Sequence, residues 1–226
     1  MKIAIIGTGA AGGYFGGRLA KAGNEVHFLA RGKQLAALQE KGLRVKSIKG
    51  DFHLPQVIAS NQIEEIGPAD LIFIGVKSWQ VKDMAAALKP LLKETTSIIP
   101  LQNGIKAYEE LAEVLGPRYV LGGSCRIISK LIAPGHIHHF SVDPIIHFGE
   151  WDHSNSDRIH QIAQVIANAE IKANPSQEIQ EEIWKKFIII CSSGLLAVSK
   201  ASYGQIMEVP ESRQLLRELI EEIHTV

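Results

Sequence analysis

The sequence predicts an α/β protein, with a doubly wound parallel sheet in its first part and helices alone in its second. Three observations predict this. Short, almost wholly apolar runs alternate with amphipathic stretches through the first 150 residues, as parallel strands buried on both faces do. A glycine-rich loop directly follows the first run and opens the first helix. Beyond residue 174 only helical spacing remains.

Taken in order, residues 2–6, 25–29, 71–76 and 97–101 read as strands. Residues 12–22, 33–41, 81–92 and 105–115 supply the helices between them, and this β-α-β-α order covers both faces of one sheet. A hairpin-like region follows at 119–129, 136–142 and 145–149, broken by Pro134-Gly135 and Asp143-Pro144. Residues 157–169 read as a helix and 170–173 as one last strand. Asn174-Pro175-Ser176 signals a boundary, with Ser176 as N-cap of a long helix from Gln177 to about Ser199. A final helix covers 212–224, amphipathic but with no later segment to pack on. The expected domains are therefore 1–173, binding a dinucleotide, and 174–226, helical and facing the substrate.

Composition narrows the function. The chain of 226 residues carries 24 Lys+Arg against 24 Asp+Glu, so no basic footprint for nucleic acid exists. Apolar types make up 46%, which excludes a disordered chain. Cys125 and Cys191 lie far apart, outside any CxxC spacing, which fits a reducing cytoplasm and no structural zinc site. No apolar run is long enough to span a membrane, and the N-terminus meets glycine too early for a secretory leader. His136 and His138 share a strand face, yet no third ligand lies near them in sequence, so no metal is expected.

Gly7-Thr8-Gly9-Ala10-Ala11-Gly12 fits G-x-G-x-x-G in the context that gives the motif meaning, strand before and helix after. Gly7 permits the turn, Gly9 lets backbone approach a pyrophosphate, and Gly12 lets helix pack on strand. The helix N-terminus receives the phosphate charge. A Rossmann-type dinucleotide site follows. Where an NAD site places an acid, about 20 residues beyond the glycines, this chain has Arg31. A guanidinium binds a 2′-phosphate bidentately, so NADPH/NADP+ is the expected cofactor.

Two polar clusters follow predicted strands on the sheet edge where such folds bind ligands: Val76-Lys77-Ser78-Trp79-Gln80 and Leu101-Gln102-Asn103-Gly104. A third lies in the long helix, where Lys186 precedes the apolar run Phe187 to Cys191. Burial lowers a lysine pKa and suits it to general-acid work. Lys185 points about 100° away on the helix and is the weaker choice. Trp79 and Trp184 are expected to pack at the domain interface, and Cys191 in the core.

With these residues in view, the chain resembles the ketopantoate reductase (2-dehydropantoate 2-reductase) family. The resemblance rests on the Gly7–Gly12 loop, Arg31, Val76-Lys77-Ser78-Trp79-Gln80 and Gln102-Asn103-Gly104. It extends to Pro134-Gly135, Trp184-Lys185-Lys186-Phe187 and Gly204-Gln205-Ile206, so it spans nearly the whole chain. It implies an NADPH-dependent reductase turning a 2-oxo acid into a 2-hydroxy acid, with ketopantoate to pantoate the leading case. It also implies Lys186 as proton donor, Lys77 and Asn103 against cofactor and substrate, and the backbone of Ile128 beside the cofactor.

Two departures qualify the resemblance. The family places asparagines one and two turns after the catalytic lysine, where this chain has Ile190 and Gly194. An unpaired buried polar group costs about 1–3 kcal/mol, so a ketopantoate hydroxyl or carboxylate is poorly served; ketopantoate stays the leading case, with a different 2-oxo acid on Ser192 or Ser193 left open. Family members also continue with further helices beyond the point corresponding to Val226. The helical domain is therefore expected to be truncated, or completed by a partner subunit in a homodimer through that domain. The competing expectation is a non-catalytic NADP-binding paralogue.

Overall fold

In the computed structural model, which describes residues 1–225, the first element β1 (Lys2–Ile6) leads into α1 (Ala10–Lys21), β2 (Glu25–Leu29) and α2 (Gly32–Lys41). Three short strands follow, β3 (Leu43–Ser47), β4 (Phe52–Leu54) and β5 (Ile58–Ser60), then β6 (Leu71–Ile74). Next come α3 (Val81–Ala85), β7 (Ser97–Pro100) and α4 (Ala107–Leu115). The strands β5-β2-β1-β6-β7 form one sheet in that order, and every pairing in it is parallel.

Alternation along each strand divides the core in two. Ile3 and Ile5 join Phe73 and Phe15 on one face, while Ala4 and Ile6 join Ile72, Ile74 and Leu88 on the other. A strand covered on both sides needs apolar side chains at every position, which is why β1 and β6 are legible as continuous runs.

A second sheet is built on the long hairpin β8 (Gly122–Ala133) and β9 (His136–Gly149). One half of β9 takes β3 alongside and the other takes β10 (Lys172–Pro175), both parallel, after α5 (Asp157–Asn168). β3, β4 and β5 have no counterpart in the sequence reading. They are short, and β3 exposes Arg44 and Lys46 on its outer face, so no apolar run marks them.

Four other expectations need correction. Asp143-Pro144 does not break β9: pairing jumps from Ile128↔Ser141 to Arg126↔Ile145, and Val142 takes φ 52°. The extra residues bulge out of the ladder, where a proline lacking N–H is tolerated. The predicted helix 81–92 is α3 followed by a 3-10 segment, Ala86–Leu91, that contains Pro90. Strand β10 runs through Pro175, two residues past the expected boundary. Ser176 is not the N-cap of the long helix; its Oγ accepts from Glu178 N at 3.1 Å, and Glu178 occupies the cap.

The remaining chain folds as α6 (Ile179–Ser199), α7 (Tyr203–Glu208) and α8 (Pro210–Thr225). The start of α6 seats against the hairpin: a side chain at Gly122 would meet Ile179 at 2.7 Å, and one at Gly149 would meet Ser176 O at 1.9 Å. Cys191 is half-buried rather than core, because little covers the far half of α6. Among the described residues no helix is long and apolar enough to cross a membrane.

Candidate active site

The glycine loop sits at the C-terminal edge of β1. Gly7 takes φ +97°, and a Cβ there would lie 2.7 Å from Val76 N, so both conformation and space require glycine. A Cβ on Gly12 would lie 2.3 Å from Gly7 O, which is how α1 comes so close to the strand. Gly9 is different: nothing lies within 4 Å of the place its Cβ would take. It is the N-cap of α1 and makes no side-chain cap, and the first helical bond runs from Gly13 N to Gly9 O at 2.9 Å. The N–H groups of Ala10, Ala11 and Gly12 thus precede the ladder, with no acid in the first turn to compete for them. An open space over unpartnered helix N–H groups suits a pyrophosphate.

From this loop a trough of three adjoining cavities runs along the sheet edge. The first, about 280 Å3, holds Arg31, Gln34 and Thr8. The second, about 470 Å3, shares Gly9 and Lys77 with it and adds Ala10, Ala11, Asn103, Cys125, Ile127 and Ser129. The third, about 350 Å3, shares Ser78, Trp79 and Asn103 with the second and reaches Phe187 on α6. Most of the expected site residues therefore meet along one groove, while Gly12, Ile128, Lys186 and Ser193 line none of the three cavities.

Arg31 is exposed at the start of α2. Thr8 is turned inward, its hydroxyl donating to Leu29 O at 3.0 Å. Lys77 caps a 3-10 turn whose Gln80 Oε1 accepts from Lys77 N at 3.1 Å. Cys125, Ile127 and Ser129 line the groove while the Ile128 side chain faces the other way, which leaves any cofactor contact there to its backbone, as expected of it. Two expectations fare differently. Ser193 is exposed, and its hydroxyl donates to Ile189 O at 2.7 Å within the helix. Trp79 does not pack at an interface: it is 76% exposed at the groove rim. Trp184 meets Phe187 edge to face, with ring centroids 5.7 Å apart.

Lys186 is half-buried on the α6 face next to β8. Burial pulls its ammonium below the usual lysine range, with the Cys125 thiol acting weakly the other way. Burial in turn pushes the Cys125 thiol up, opposed by Lys186. Cys125 Sγ donates to Leu101 O at 3.4 Å and lines the central cavity, so it marks the wall that Lys186 approaches. Lys185 lies outside, bound to Glu181 and Glu182 at 3.2 Å each, and these contacts raise its pKa. The two neighbouring lysines are thus in opposite electrostatic states.

Sequence reasoning missed two glutamines. Gln34 donates from Nε2 to Thr8 O at 3.0 Å and accepts from Gly135 N at 2.9 Å, tying the glycine loop to the hairpin turn. Gln102 donates from Nε2 to Ile74 O at 2.9 Å and Val76 O at 3.2 Å, so it fixes the loop that carries Lys77. Gln102 stood in a motif already noted; nothing in the sequence marked Gln34.

A family model described as "Ketopantoate reductase PanE/ApbA" matches residues 3–153, and its C-terminal counterpart matches residues 178–226. YkpB, an uncharacterized oxidoreductase of Bacillus subtilis, is 34% identical over all of this chain and 74% of its own length. A 2-dehydropantoate 2-reductase of Nostoc is 35% identical over 98% of this chain and 71% of its own. The crystal structure of a 2-dehydropantoate 2-reductase from Geobacter metallireducens superposes with a TM-score of 0.90 at 33% identity, covering 99% of this chain and 74% of that one.

Proposed function

The chain belongs to the ketopantoate reductase PanE/ApbA family, and from that premise we propose that it reduces a 2-oxo acid to a 2-hydroxy acid with NADPH, Lys186 giving the proton. The observation that carries this reading is the half-buried Lys186, without an ion-pair partner among the described residues and close enough to act on Cys125, which lines a groove that begins at a phosphate-ready glycine loop.

The residues divide the work. The N–H groups of Ala10, Ala11 and Gly12 receive the pyrophosphate, and Arg31, at the groove's other end, receives the 2′-phosphate. Lys77 and Asn103 flank the central cavity, where the nicotinamide and the substrate meet. When bound, the reduced nicotinamide supplies the hydride. Hydride adds to the keto carbon, the oxygen gains negative charge, and Lys186 Nζ passes it a proton. A lysine whose ammonium is weakened by burial gives up that proton more readily than a solvated one. The neutral amine is then recharged from solvent. Residues 1–173 serve the cofactor and 174–226 bring the acid. Ketopantoate, the substrate for which several relatives are named, is the first to try.

The test is turnover of NADPH and NADH with a panel of 2-oxo acids that includes ketopantoate. Lys186→Ala is expected to lower kcat by about 10²–10⁴, the usual share of general acid catalysis. Full turnover in that variant removes the proton-donor role. Arg31→Ala is expected to weaken NADPH and leave NADH unchanged; equal use of both by the parent chain removes the 2′-phosphate role.

A further inference from the structure

Glu182 stands four residues before Lys186, with the acid on the N-terminal side, the arrangement in which Glu–Lys pairs form best on a helix. That pair is not made. Glu182 Oε1 instead lies 3.2 Å from Lys185 Nζ, and its Oε2 lies 3.3 Å from His147 Nδ1 on β9. Lys185 also holds Glu181 at 3.2 Å, so one exposed lysine gathers both acids of this turn. Among the described residues no carboxylate comes within ion-pair distance of Lys186.

We propose that Lys185 is a positioning residue: by holding the Glu182 carboxylate it keeps Lys186 free of a partner. The idea rests on Lys186 being the proton donor. A carboxylate at Lys186 would neutralise the charge that meets the substrate oxygen and make the ammonium a poorer acid. His147 guards the other carboxylate oxygen. Asn174 Nδ2 donates to the same His147 Nδ1 at 2.8 Å, so the neutral ring accepts there and becomes a donor to Glu182 only when protonated. Burial lowers the His147 pKa, so near neutrality the hold on Glu182 falls to Lys185. The other titratable groups nearby are Cys125, which acts on Lys186, and Arg126 and Lys172, which act on His147 as Lys186 itself does.

The experiment reads the protonation of Lys186 directly. The full chain is labelled with acetic anhydride across a pH series, and tandem mass spectrometry resolves modification at Lys186 from that at Lys185. In Lys185→Gln the released Glu182 pairs with Lys186, and the Lys186 titration midpoint is expected to rise by about one pH unit. Lys185→Arg retains the hold and the parent midpoint. The double variant Glu182→Gln with Lys185→Gln returns to the parent value, which a mere change of fold would not do. An unmoved midpoint in Lys185→Gln overturns the proposal, as does a double variant that shifts as far as the single. Labelling needs no turnover, so this result stands apart from whether Lys186 proves to be the proton donor.

Discussion

The central strands and the helices after Gln177 use the same apolar residue types to opposite effect. Ile3 to Ile6 and Leu71 to Ile74 are fully buried between two helical layers. Along α6, α7 and α8 the buried residues are Ile179, Ile183, Ser192, Ile206, Leu216 and Ile223, while Val198 is 85% and Ile189 60% exposed. The sheet is thus a finished core, and the helical part is anchored at one end. That end is the start of α6, seated in the glycine notch of the hairpin, and Lys186 follows two turns later. The proton donor proposed for the reaction therefore stands on the part of the helix that the sheet holds, not on the part left uncovered.

The contrast can be broken most directly in the sheet. Phe73→Ala empties a fully buried site and is expected to lower the unfolding free energy by about 3–5 kcal/mol. Urea denaturation checks this, and a loss below about 1 kcal/mol would mean that the sheet is not the stability centre. Gly122→Ala attacks the seat of α6, where the added methyl meets Ile179, and overpacking there is expected to cost about 1–3 kcal/mol. Its signature is a fall in kcat with NADPH binding retained, since the glycine loop lies elsewhere.

A smaller effect of opposite sign is expected for Lys186→Met. Burial lowers the folded-state pKa of Lys186, so the unfolded chain binds the proton more tightly and charging the native state opposes folding. The variant should unfold at a higher temperature near neutral pH, and the gain should shrink as pH rises through the lowered folded-state pKa and be gone above the unfolded lysine pKa. A gain independent of pH would trace to packing instead. Smallest of all, Val198→Ser on the uncovered face should change stability by no more than about 0.5 kcal/mol. A larger loss in dilute solution would show that this face is covered after all.

How much was legible in advance followed the range of the forces involved. β1, β2, β6 and β7 were readable because both their faces are buried, and the glycine loop because its geometry depends on a few consecutive residues. The strands β3, β4 and β5 were not: β3 alternates with exposed Arg44 and Lys46, and β4 and β5 are three-residue strands at the sheet edges, too short to carry a pattern. Trp79 misled because a large aromatic usually signals packing, and here it stands at a groove rim. Gln34 was invisible because its role depends on Gly135, a hundred residues away in the chain.

By itself the sequence determined the parallel sheet, the phosphate-ready loop and Arg31 beyond it, because each follows from local spacing and the steric freedom of glycine. The sequence already favoured Lys186 over Lys185, but only the tertiary structure shows what each of them meets. Side chains of adjacent helical residues diverge by about 100°, and what each meets is set by other elements. Lys186 meets the buried wall that β8 brings through Cys125, and Lys185 meets solvent and two acids of its own turn. Desolvation is a property of the packed surroundings, so the apolar run after Lys186 could suggest it but only the folded chain supplies it.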